Sequence, residues 1–222
     1  MLGKIKVIYK GKNYLVVDKP SGMITTKEKK GELGTLEDWV AENFPNNLPR
    51  NGIMHRLDKG TSGFVLIARN EKMWLFLKKQ FKDRLVVKKY YCLVGGETSA
   101  DGSINWPIAR SRHSFGKFEV RVEGKEALTE FKLIKRYCRG QKKYSFLEIN
   151  LKTGRTHQIR VHLSYLRWPL VGDRVYGGET EILKRPFLHA FWLEFNNREK
   201  QVKYISELAD DLKEHLKQYE EG

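Results

Sequence analysis

Short apolar runs broken by glycine and charge are the dominant pattern along the first half of the chain. Ile5 to Tyr9 and Tyr14 to Val17 are brief β-branched and aromatic runs, separated by Lys10-Gly11-Lys12-Asn13, which has the composition of a turn. Lys19-Pro20-Ser21-Gly22 ends the second run. Leu36, Val40 and Phe44 then recur at helical spacing, predicting a helix over 36–44. Asn51 to Gly63 is rich in charge, Gly, Ser and Thr and reads as a loop. Phe64 to Ala68 is a wholly apolar strand. Glu71 to Phe81 is a helix with Trp74, Leu77 and Phe81 inward and Lys72, Lys78, Lys79 and Lys82 outward. Lys89 to Val94 is a further strand, closed by Gly95-Gly96.

The second half continues in the same manner. Ala100 to Lys125 is basic and reads as irregular. Leu128 to Ile134 and Tyr144 to Leu151 are strands, and Thr156 is placed to cap a helix that carries Ile159, Leu163 and Leu166 on one face. Leu188 to Phe195 and Val202 to Ile205 are the last strands. From 205 to 222, Ile205, Leu208, Leu212 and Leu216 mark an amphipathic helix packed back on a single domain. Hairpin-like strands with interspersed helices indicate an α+β fold with a mixed, largely antiparallel sheet, rather than a doubly wound α/β fold.

Charge adds a partner to this picture. The 222 residues hold 42 Lys+Arg against 27 Asp+Glu, a net +15, so the surface is poised to meet a polyanion. The balance is uneven, since 206–222 has six acids and two lysines. No apolar run is long enough to span a bilayer, and Met1 to Lys6 lacks the apolar stretch of a signal peptide. The two cysteines form no CxxC pair, which argues against a zinc site or a disulfide framework and fits a reducing cytoplasm. Cys92, in an apolar strand, reads as a core thiol.

Three segments carry candidate chemistry. In Ile53 to Ala68, Asp58 stands between Arg56 and Lys59, ahead of Thr61-Ser62-Gly63; it is either a carboxylate kept charged for nucleophilic work or a solvated loop acid. In Leu151 to Leu163, Arg155, His157, Arg160 and His162 crowd a turn and a helix start, a good place for an anion. Arg160 suits a buried carboxylate or a phosphate, and the two histidines, five apart, suit hydrogen bonding better than metal ligation. In Lys88 to Gly96, Tyr90 and Tyr91 point to opposite faces of a strand, so one can sit in a site while the other packs. The stretch from Arg110 through Arg112 and Lys117 to Arg121 would track phosphates. No carboxylate cluster suits a two-metal nuclease.

Taken together these segments resemble the RluA-type pseudouridine synthases. The resemblance rests on His55-Arg56-Leu57-Asp58 with Thr61-Ser62-Gly63, and on Gly154-Arg155-Thr156-His157-Gln158-Ile159-Arg160-Val161-His162. It extends to Asp18-Lys19-Pro20-Ser21-Gly22, to Lys88 through Gly96, to Pro169 through Asp173 with Tyr176-Gly177, and to Leu188-His189-Ala190. These stretches occur in the family's order from about Val7 to Phe195; Gly60 departs from it, standing where an acidic residue is common. The resemblance implies the family's catalytic-domain architecture, without the amino-terminal RNA-binding appendage, and an isomerase that needs no cofactor or metal. It implies Asp58 as nucleophile, Tyr90 against the target uracil, Arg160 paired with the aspartate and Arg56 in the space left by a flipped base. Around them, His55, Thr61, Arg155, His157, Arg110, Arg112 and Lys117 would contact the RNA. The expected partner is structured ribosomal or transfer RNA, met by a cytoplasmic monomer. The rival reading is a non-catalytic RNA-binding or ribosome-assembly protein on the same fold, which has no need of the set Asp58, Tyr90 and Arg160.

Overall fold

In the computed structural model, residues 4–27, 31–181 and 183–221 are described. The end residues 1–3 and 222, which the readings of the amino terminus and the tail include, lie outside them. The elements in chain order are β1 (Lys6–Lys10), β2 (Tyr14–Lys19), α1 (Leu36–Asn43), β3 (Ser62–Ala68), α2 (Glu71–Lys82), β4 (Val87–Gly95), β5 (Asp101–Asn105), β6 (Ile108–Arg110), β7 (Phe118–Val120), β8 (Leu128–Arg139), β9 (Lys142–Leu151), α3 (Gln158–Tyr165), β10 (Leu188–Asn196), β11 (Gln201–Ile205), α4 (Asp210–Leu216) and β12 (Glu220–Glu221). Strands pair antiparallel wherever their register is defined, and the architecture is α+β. No helix among the described residues is long and apolar enough to cross a membrane.

The chain forms two compact units. The first comprises Met1–Val86 and Ala190–Ser206. Its strands run in the order β1, β2, β3, β10, β11. Leu15, Val16 and Val17 of β2 and all of β3 are buried, so these strands are covered on both faces and read as continuous apolar runs. On one face Tyr14, Val16, Phe64 and Leu66 meet Met73 and Leu77 of α2, the inward side of a helix whose lysines face out. Its first turn is closed by Asn70, whose side chain accepts the Met73 N–H at 3.0 Å. Gly63 holds the start of β3 close to β10. Its φ is +119°, and an added Cβ would lie 2.3 Å from the Ala190 carbonyl oxygen.

The second unit comprises Val87–His189 and Glu207–Gly222. Its sheet runs β4, β9, β8, with β5 and β12 both paired to β8. The segment 100–125 is less irregular than its sequence suggests, for it contains β5 and the β6–β7 hairpin. In β5 only Ile104 is buried, so no apolar alternation betrays the strand. Strand β8 runs on to Arg139, because its outer half is held by backbone pairing with β9 rather than by burial. The tail is helical only over Asp210–Leu216: Ile205 already belongs to β11, paired with Trp192, and Glu220 pairs with Cys138. Leu212 and Tyr219 still pack on Leu93, Tyr144 and Phe187, as the apolar spacing requires. Cys92 is fully buried, the core thiol its sequence indicates, and burial pushes its pKa up.

Helix α3 is tied to β8 by side chains instead of a capping threonine. His157 rather than Thr156 precedes the helix, in the left-handed region (φ 56°), and caps nothing with its side chain. The tie comes from Gln158, whose amide group uses both donors and two acceptor positions. It donates to Leu128 O (3.1 Å) and Thr129 Oγ1 (2.9 Å), and accepts from Thr153 Oγ1 (2.8 Å) and Arg155 N (2.9 Å). One turn on, buried His162 donates from Nε2 to Trp106 O at 2.9 Å, while its Nδ1 meets Thr129 Oγ1 at 2.9 Å.

Gly63→Ala places a methyl group against the Ala190 carbonyl at a left-handed backbone position, so chemical denaturation should show a loss of about 2–4 kcal/mol. Burial also holds the imidazoles of His162, His215 and His189 below their ordinary pKa, that of His189 at about 4. The unfolded chain therefore binds protons that the folded protein refuses. Stability should fall as pH drops from about 6.5 towards 4, by an amount on the order of 3 kcal/mol from His189 alone. Urea midpoints measured across this range should decline, and replacing His189 by a neutral side chain should flatten the decline.

Candidate functional site

In the first unit the candidate residues are gathered by one loop. Met54 N donates to Leu66 O at 2.9 Å, and the Nε2 of His55 accepts the Leu66 N–H at 3.2 Å. His55 is thus committed to holding its segment beside β3, with Nδ1 carrying the proton of a neutral ring. From there the chain leaves the sheet, turns through Asp58 and returns at Thr61, which is buried and donates its N–H to Asp58 O at 3.0 Å.

This excursion is fixed from the other side by the segment after β2. Thr25, 1% exposed, bonds Leu57 twice: its Oγ1 donates to Leu57 O at 2.7 Å and accepts Leu57 N–H at 3.1 Å. Gly22 N donates to Lys59 O at 2.7 Å, and Ser21 Oγ to Gly60 O at 2.9 Å. Four consecutive carbonyls, from Leu57 to Gly60, therefore each accept a hydrogen bond from a defined donor. The segment that supplies these donors is itself pinned by Lys19. That lysine is fully buried and donates its ammonium to Pro20 O (2.9 Å) and Met23 O (2.7 Å). Asp58 is half-buried on this rigid turn, and Arg56 and Lys59 beside it are exposed. The support given by Ser21 and Thr25, on a segment that Lys19 pins locally, was not foreseen from the sequence, since it depends on bonds across 32 to 39 residues.

In the second unit the strand register separates the two tyrosines. Tyr91 lies with Phe146, ring centroids 5.3 Å apart, in the aromatic core that also takes Leu93. Tyr90, 5% exposed, is on the opposite face, where it stands across from Ile149, which in turn stands across from Phe131. Thr129 is two residues from Phe131 and so shares that face. Since Thr129 bonds both Gln158 and His162, α3 lies over the face of the sheet that Tyr90 occupies.

Arg160 is presented from this helix and is 7% exposed. Its Nε donates to Asp173 Oδ2 at 2.7 Å and its Nη2 to Asp173 Oδ1 at 2.9 Å. Asp173, wholly buried, also accepts the backbone N–H groups of Val175 (3.1 Å) and Tyr176 (3.3 Å), so neither charge is left unsatisfied. The guanidinium carbon lies 4.9 Å from the centre of the Tyr176 ring. Tyr176 Oη accepts the Phe118 N–H at 3.0 Å and meets His157 Nδ1 at 2.9 Å. Phe118 in turn lies edge-on to His157, and Arg110 covers its ring at 5.6 Å. A continuous series of rings and cations thus links Arg160 to the β6–β7 hairpin. Arg112 and Lys117 are exposed in the turn of that hairpin, and Phe115 at its tip is fully exposed. Arg155 stands at the edge of the group, its Nε donating to Glu126 O at 2.8 Å. The sequence marks Asp173 and Tyr176 as matching positions but gives no sign that they organise Arg160 and His157.

Residues 13–165 match the family model for RNA pseudouridylate synthase. The ribosomal large subunit pseudouridine synthase D of Borreliella burgdorferi is 38% identical over 215 residues, covering 91% of this chain and 65% of that protein. The protein of the same name from Xylella fastidiosa is 34% identical, covering 94% of this chain and 67% of that protein. The chain therefore spans about two thirds of the length of these relatives. Human RNA pseudouridylate synthase domain containing 1 has a similar structure, with a TM-score of 0.80 and 26% identity over 99% of this chain and 89% of that one. On this evidence the chain belongs to the RNA pseudouridylate synthase family.

Proposed function

We propose that the protein isomerises uridine to pseudouridine in structured ribosomal or transfer RNA, with Asp58 as the catalytic carboxylate. The observation that carries this reading is the turn on which Asp58 sits, where every carbonyl from Leu57 to Gly60 is tied down. A carboxylate that must act at one atom of a bound ribose needs its backbone held to within a fraction of an ångström. A solvated loop acid needs no such framework. Two relatives that match over most of this chain are named for the ribosomal large subunit, which favours ribosomal RNA within the proposed class.

The reaction breaks the C1′–N1 bond of uridine, turns the uracil and forms a C1′–C5 bond. The proton lost from C5 is balanced by one gained at N1, so no group is added or removed. Asp58 can open the first bond by attack at C1′ or by taking the C2′ proton to give a glycal, and both routes use the ionised carboxylate. The uracil must leave its stack first, at a cost of a few kcal/mol. Exposed Arg56 is suited to enter the space it leaves. Tyr90 faces the freed uracil and assists proton removal at C5. Arg160, immobilised by Asp173 and Tyr176, is the arginine that the resemblance pairs with the Asp58 carboxylate, where its charge would favour the ionised acid. Arg110, Arg112 and Lys117 on the hairpin, with Arg155 and His157 near its base, bind the RNA backbone.

Asp58→Asn should abolish pseudouridine formation while leaving RNA affinity within a fewfold of wild type; appreciable turnover by this variant would show that the carboxylate is not the catalyst. RNA affinity itself should drop about tenfold or more between roughly 50 and 200 mM salt, as phosphate contacts release counterions. Titration of a labelled RNA at several salt concentrations checks this, and a flat response contradicts the phosphate-tracking role of the hairpin.

A further inference from the structure

One aromatic pair lies outside the residues assigned so far. Trp106, between β5 and β6, is 47% exposed, and Tyr165, the last residue of α3, is 53% exposed. Their ring centroids are 5.9 Å apart, at an interplanar angle of 52°. Large aromatic side chains are costly to leave in water, and two in mutual contact form an apolar surface with polar N–H and O–H edges. Among the described residues, neither the indole nitrogen nor the phenol oxygen has a hydrogen-bond partner within the protein.

The pair is held firmly from below. The Trp106 carbonyl accepts the Nε2–H of fully buried His162, which lies one helical turn before Tyr165. His162 is also bonded to Thr129 of β8. The backbone beneath the rings is thus anchored to both the sheet and the helix, and the rings project from a fixed base.

The surroundings select the occupant. Trp106 leads into the hairpin that carries Arg110, Arg112 and Lys117, and exposed Arg167 follows Tyr165 by two residues. A protein partner matched to a bare apolar patch would not need flanking cations. A nucleic acid satisfies both features, since its phosphates meet the cations and its bases stack on the rings. A continuous duplex hides its base faces, so only an unpaired base can stack there.

We propose that Trp106 and Tyr165 form a stacking platform for an unpaired base of the RNA, one apart from the base being isomerised. The platform would favour RNA with a loop or bulge near the target uridine. This inference rests on the reading of the protein as an RNA-modifying enzyme.

The test compares a labelled oligouridylate of about 12 nucleotides with a fully paired RNA duplex of similar length, at one salt concentration. The Trp106→Ala/Tyr165→Ala variant should bind the oligouridylate about 10- to 100-fold more weakly and the duplex within about twofold of wild type. Trp106→Phe/Tyr165→Phe, which keeps two aromatic faces, should retain most of the affinity. A second readout requires no truncation: oligouridylate should quench wild-type tryptophan fluorescence, and the quench should be largely absent in Trp106→Phe. Unchanged oligouridylate affinity in the alanine variant, equal losses on both RNAs, or an undiminished quench in Trp106→Phe would each overturn the platform. So would self-association of the wild type that the alanine variant abolishes while oligouridylate affinity stays the same. The underlying reading fails separately. A wild-type protein that makes no pseudouridine in ribosomal or transfer RNA, yet binds oligouridylate through Trp106, would end the enzymatic reading and leave the platform standing.

Discussion

The bonds between the segment after β2 and the turn at Asp58 are the constraint on which the candidate chemistry depends. A short polar turn left in solvent samples many conformations, and fixing it costs roughly 1–2 kcal/mol of entropy per residue. Here Thr25 holds Leu57 through both its backbone groups, and Gly22 and Ser21 take the carbonyls of Lys59 and Gly60. Lys19 keeps those donors in place from within the unit. The cost of burying an ammonium is offset by charge-assisted bonds to backbone carbonyls. Through these two bonds the lysine acts as a structural cation for the segment that holds the turn.

The second unit solves a similar problem with different means. Arg160 must carry a charge in a place nearly closed to water, where an unpaired guanidinium would be prohibitive. Asp173 takes two of its donors, and the same carboxylate is satisfied by two backbone amides of the turn that brings Tyr176 beneath the guanidinium. Gln158 and His162 secure the helix that presents it. Several polar residues of the 154–162 segment thus serve to position their neighbours, and His162 is kept neutral by its burial to do so.

Much of this was legible in the sequence, and particular residues show why. The strands at Tyr14, Phe64 and Tyr90 and the helix at Glu71 announce themselves because apolar periodicity follows directly from which face is buried. Asp58, Tyr90 and Arg160 were singled out as candidates through ordered motifs. The short strands β5, β6 and β7 escaped notice because so few of their residues are buried that no period emerges. Thr156 was a sound capping candidate by local rules, but the segment enters α3 through a left-handed His157, and Gln158 takes the neighbouring backbone groups instead.

The sequence by itself determined the α+β class, the basic surface, the family resemblance and the identity of the candidate catalytic carboxylate. The first two depend on periodicity and composition, which are local properties of the chain; the last two rest on motifs that stand in the family's order, and the role of Asp58 is what that resemblance implies. Only the tertiary structure decided that Thr25 grips Leu57, that Asp173 holds Arg160, that Tyr90 and α3 share one face of a sheet, and that Trp106 meets Tyr165 in the open. Each of these is a meeting of residues distant in sequence or a consequence of strand register, and hydrogen-bond geometry and packing select it only once the chain has folded.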